Sequence, residues 1–175
     1  MDKEDAQDAS QRIATAHAIN FDNPDLSREV EHRVHRAVHD HLREMFPADA
    51  IVATLDEAAT PKVVALSKNR LYELTVGTFN EQRAPVPTLV RMRAIDPVRS
   101  SVDCEVKYSG HRDNDLQAIR ETVWRFQIDD IDLEVETFVD RQRNWIKQDE
   151  KFALALAKAI GWDGLGNEGP LMAVA

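Results

Sequence analysis

Between Ile51 and Thr137 the chain reads as seven short strands separated by turn residues, the later ones with clear polar–apolar alternation, and from Phe138 to Ile160 the apolar spacing changes to that of a helix. A period of two marks strands with one wet face and a period near 3.6 marks a helix. The order therefore predicts an α+β fold: a seven-stranded antiparallel curved sheet capped by a C-terminal helix. The strands are read as Ile51–Leu55, Lys62–Ser67, Arg70–Val76, Thr88–Ile95, Ser101–Tyr108, Ile119–Ile128 and Ile131–Thr137. Lys68-Asn69, Asp96-Pro97 and Asp129-Asp130 supply turns. Val102, Cys104, Val106 and Tyr108 share one face of their strand, and Trp124, Phe126 and Ile128 one face of theirs. Phe138, Trp145, Phe152, Leu156 and Ile160 form the stripe of the last helix, which Gly161 stops.

Ahead of the sheet, Asn23-Pro24-Asp25 combines a capping side chain, a proline suited to the first helical position and an acid at the positive end of the dipole. Leu26, Val30, Val34, Val38, Leu42 and Met45 then recur on one stripe, and Phe46-Pro47 ends the helix. The organisation reads as a flexible segment 1–22, in which 11–19 has short-helix character, an amphipathic helix 23–46, a sheet domain 47–161 and a tail 162–175.

A net charge of −9 works against nucleic acids and anionic membranes, whose affinity comes largely from Lys and Arg meeting phosphates. A single cysteine, Cys104, excludes an internal disulfide and a multi-thiolate zinc site. The polar start MDKEDAQDAS lacks the pattern of a signal peptide, and no apolar run nears the roughly 20 residues of a membrane span. The expected location is the cytoplasm.

The hairpin Lys62-Val-Val-Ala-Leu-Ser-Lys-Asn-Arg-Leu-Tyr-Glu-Leu74, set in a seven-strand-plus-helix order, resembles the pleckstrin-homology-like and GRAM-like domains of bacteria. The resemblance implies a half-barrel binding module for lipid head groups, peptides or a protein partner. Lipid-binding members use basic residues on the first two strands and the loop between them; here that loop, Asp56–Pro61, is acidic. The helix 23–46 is an addition to the resemblance.

No glycine-rich phosphate loop, nucleophile elbow or metal motif occurs. Of four histidines on helix 23–46, His32, His35 and His39 fall within about 60° of one another, opposite the apolar stripe, with Arg28 and Arg43 nearby. Positions seven apart lie about 10 Å apart along a helix, too far to share one ion, so only His35 and His39 remain a metal pair. The plainer reading is a solvated or partner-facing surface, and a pH-sensitive one is a third. Asp130, Asp132, Glu134 and Glu136 share one strand face, expected to pair with Arg125 and other basic residues or to face a basic partner. Arg91, Arg93 and Lys107 are expected to balance Asp103 and Glu105 or to form a small cationic patch. Lys62, Lys68, Arg70 and Arg83 are the candidate ligand-binding cations, and Leu171 and Met172 in the apolar terminus the candidate docking residues. Cys104 alternates inward as a small core residue. These features point to a non-catalytic adaptor or accessory subunit that assembles with a protein partner or with itself, without cofactor. A small-ligand or lipid head-group module, and a metal-binding protein or enzyme using the helix 23–46 histidines, are the alternatives.

Overall fold

The computed structural model describes residues 3–19, 21–55, 62–80, 83–109, 119–140, 145–146 and 149–162. Two helices, α1 (Lys3–Ala18) and α2 (Pro24–Met45), precede strands β1 (Ile51–Leu55), β2 (Lys62–Ser67), β3 (Arg70–Val76) and β4 (Pro87–Ala94). Strands β5 (Ser100–Ser109), β6 (Ile119–Ile128), β7 (Ile131–Asp140) and β8 (Trp145–Ile146) follow, then helix α3 (Asp149–Ile160). The class is α+β and all pairing is antiparallel, but the strands form two sheets, ordered β1-β2-β3-β4 and β5-β6-β7-β8. The expected single seven-stranded curved sheet is therefore corrected. The break falls at Ile95–Arg99, where a turn of ordinary hairpin length connects strands that do not pair. The chain divides into compact units Met1–Ala94 and Ile95–Ala175, so the boundary lies inside the stretch read as one domain.

In the first unit the Asn23 side chain caps α2, accepting from the Asp25 and Leu26 amides at 3.0 and 3.4 Å. Val30, Val34, Val38 and Leu42 are fully buried, each worth about 1.5–3 kcal/mol of apolar transfer. They meet Ala6, Ala9, Ile13 and Ala14 of α1 and Val52, Val63, Ala65, Leu74 and Val76 of the sheet in one core. Helix α1 begins at Lys3, so residues 3–10 are helical rather than the loose segment their polarity suggests. Alanines make its buried face, and a stripe of small residues is faint in any hydropathy pattern. At the β2–β3 turn Lys68 and Asn69 both have positive φ, 47° and 61°, the backbone of a two-residue hairpin that follows the twist of its strands.

In the second unit β5, β6 and β7 pair over their full lengths. Trp124 is fully buried, stacked on Phe126 at 6.1 Å and edge-on to Trp162 at 5.1 Å. Phe152, Ala153, Leu156 and Ala157 of α3 are fully buried too. The helix expected from Phe138 begins only at Asp149, with Asp149 and Glu150 in its first turn. Phe138 lies on β7 and Trp145 on β8, because β7 pairs with β6 as far as Ile119↔Asp140. Spacings of seven residues suit a helix stripe, and they suit strand ends equally. No described helix is long and apolar enough to cross a membrane.

Candidate functional site

Strand β4 is one edge of the first sheet, paired among the described residues with β3 alone. Pro87 stands at its first position, where a missing N–H costs no ladder bond. A register shift between Glu73 and Leu74 leaves Val90 without a partner across the pair, a bulge. Beyond it Arg91 lies opposite Glu73, Met92 opposite Tyr72 and Arg93 opposite Leu71. Leu89, Val90 and Met92 are 46%, 58% and 43% exposed, so three large apolar side chains line an open edge. Sequence alternation alone does not reveal this, because β4 reads like its buried neighbours and only the pairing order makes it an edge.

On the sheet face of Arg91, the Glu73 carboxylate is held between Lys62 Nζ at 2.8 Å and Arg91 Nε at 3.0 Å. Arg91 and Arg93 are thus tied into the first sheet, and Lys107 into the second, where it meets Glu105 at 3.3 Å. Of the three, Lys107 is seen to balance Glu105 as expected. Of the candidate ligand-binding cations, Lys68 and Arg70 sit at the β2–β3 turn while Lys62 starts β2, about 17 Å away along the strand. Arg83 belongs to the β3–β4 loop, bridged to Asn80, at the Lys62 end of the strands. These four cations do not converge.

On α2, His32, Arg28 and Arg43 are exposed, while His35 and His39 are half-buried on the flank of the stripe rather than opposite it. A row of residues four apart drifts around a helix, so the stripe that starts at Val30 reaches the edge of the histidine row by Leu42. The two rings stack with centroids 6.0 Å apart and planes 18° from parallel. His39 Nδ1 lies 3.1 Å from Asp40 Oδ1, and the Nε2 atoms of both rings are buried without a hydrogen-bond partner. No group of three or more metal-ligating side chains occurs among the described residues. Burial, then the charge of His39 and of His32, holds His35 below the ordinary 6.5, against the pull of Asp40 and Glu31. The unfolded chain then takes up a proton first. The contribution of His35 to stability should be constant above pH 6.5 and be lost as pH drops from there through the depressed value. His35→Gln should flatten that slope in denaturant titrations; an unchanged slope would exclude His35 as its source.

The wet face of the second sheet carries Asp103, Glu105, Glu121, Asp132, Glu134 and Glu136, all exposed. Arg125 sits among them as expected, 3.0 Å from Glu134, 3.5 Å from Glu105 and 3.8 Å from Asp103. Its hydrogen bond to Glu134 raises the guanidinium further, and Lys107 lowers Glu105. Such exposed pairs add little stability. A shallow hollow of about 260 Å³ lies beside them, lined by Lys107, Glu121, Val123, Glu136 and Phe138 among others.

The opposite face holds an ion pair that the sequence does not advertise. Arg120 of β6 donates to Glu150 of α3, and both are buried, at 3% and 2% exposure. Burial pushes the Glu150 carboxyl up while Arg120 opposes it. Cys104 is half-buried and its thiol is pushed up, first by desolvation and then by Asp103, which disfavours the reactive thiolate. Asp56–Pro61, Leu171 and Met172 lie outside the described residues. The chain matches no family model, and no curated protein and no solved structure matches it.

Proposed function

We propose that this chain is a non-catalytic adaptor or accessory subunit that engages a protein partner, and that β4 is the surface it offers. The observation that carries this reading is the exposed apolar edge of Leu89, Val90 and Met92. Folded proteins shorten, charge or cover the edges of their sheets, since an open edge templates further pairing. Apolar side chains grouped along such an edge are the usual mark of an interaction surface. The candidate cations for a lipid or small ligand are dispersed over two ends of the sheet, which favours the protein-partner reading over that alternative.

A photoreactive amino acid placed at Val90 tests it in the native host. A discrete covalent adduct is expected from position 90, and none from a control at Asp132 on the wet face of the second sheet. Leu89→Ser with Met92→Ser should abolish the adduct while leaving the thermal transition in place. Equal labelling from both positions, or none from position 90, would overturn the proposal.

A further inference from the structure

We infer that β4 takes up an extended segment of the partner as an added strand, and that it selects a segment in which two carboxylates flank an apolar residue. This rests on the reading of β4 as the partner surface. The selectivity follows from the rows of side chains that run across the sheet and stop at the edge. On one face Val64, Glu73 and Arg91 stand in one row across β2, β3 and β4, and Lys62, two residues before Val64, reaches the same Glu73 carboxylate diagonally, so the row ends at the edge on a positive charge. Arg93 stands two residues on, across from Leu71 on the same face. Its guanidinium donates to the Met92 carbonyl at 3.2 Å, which holds it along the strand. On the other face Tyr72 leads to Met92, and Leu74 to Leu89, both apolar at the edge.

An added strand continues each row by one residue. Opposite charges across neighbouring strands attract and like charges repel, so carboxylates belong opposite Arg91 and Arg93. The residue between them points to the other face and meets Met92, which calls for an apolar side chain. Val90, excluded from the ladder by the bulge, marks where regular pairing ends. The same rule disfavours a second copy of β4 paired about Arg91 or Met92, since arginines would then face arginines. Charges, a proline and a bulge also serve to blunt an edge against pairing of any kind. The two roles differ in their response to an acidic strand, which only a selective edge accepts.

The test uses the isotope-labelled full chain and three peptides as long as β4. In the first, glutamate and valine alternate; in the second, lysine replaces glutamate; the third is the first with alternate backbone nitrogens methylated. The acidic peptide should shift amide resonances along β3 and β4, bind about tenfold more tightly than the lysine peptide, and lose binding on methylation. Arg93→Glu, which leaves Arg91 in place, should cancel most of the preference between the two charged peptides. Binding with no charge preference, shifts confined to other strands, or no binding of any peptide would overturn strand selection. The peptide exchange requires no variant, so it is independent of whether Arg93→Glu folds. If the peptides fail while the adduct at position 90 persists, strand addition falls and partner docking stands; if that adduct is absent, docking itself falls.

Discussion

Glu150→Ala should destabilise the second unit by about 3–5 kcal/mol, the range found when one member of a buried ion pair is removed. Arg120 and Glu150 are both almost wholly withdrawn from water, and Glu150 supplies the acceptor to which the guanidinium donates. An arginine cannot shed its proton to relieve a buried charge. A carboxyl can take one up, and burial already pushes Glu150 in that direction. Arg120→Met should therefore cost less than Glu150→Ala. Replacing both, Arg120→Met with Glu150→Leu, should recover most of the loss, because a packed apolar pair of similar volume avoids desolvating two charges. All three tryptophans, Trp124, Trp145 and Trp162, belong to this unit, so tryptophan fluorescence against denaturant follows it selectively. Equal costs for the two single variants would show that the charge of Arg120 is relieved by another route.

The positions of the strands were legible because their alternation is local. Val102, Cys104 and Val106 against Asp103, Glu105 and Lys107 need no tertiary information to read as a strand, and the register bears that out with Cys104 opposite Trp124 and Asp103 opposite Arg125. The capped start of α2 at Asn23-Pro24 was legible for the same reason. Which strands join one sheet was not, since the five residues from Ile95 to Arg99 resemble any hairpin connection. The open edge of β4 follows from that division and was hidden with it. The Arg120–Glu150 pair was hidden by distance: thirty positions separate the two, and each alone reads as a surface charge. Arg91 was visible as a residue, but its pairing with Glu73 emerges only from the β3–β4 register.

Ile13→Ala should cost the first unit about 2–5 kcal/mol, the range for truncating a buried isoleucine to alanine. In the sequence, segment 1–22 reads as flexible with short-helix character at 11–19, which gives Ile13 no evident place in a core. In the fold Ile13 is fully buried and is the largest apolar side chain of α1 in the core, among Ala6, Ala9 and Ala14. Alanines on α1 allow its backbone to approach Val30, Val34 and Val38 of α2 closely, and Ile13 fills the space that remains. The void left by truncation has few long neighbours on α1 to close it, which places the expected cost in the upper part of the range. The helices are also tied at their rims: Gln11 and Thr15 donate to Glu31 at 2.6 and 3.1 Å, and Arg12 donates to the Thr54 carbonyl of β1 at 2.7 Å. The exposed Gln11–Glu31 and Thr15–Glu31 bonds should contribute much less, so Glu31→Ala serves as the mild control. Helices α1 and α2 hold 16 and 22 residues against 12 in α3, so far-ultraviolet circular dichroism weights the first unit. A thermal transition lowered in Ile13→Ala and nearly unmoved in Glu31→Ala would place α1 inside the folding unit that presents β4; a neutral Ile13→Ala would detach α1 from that core.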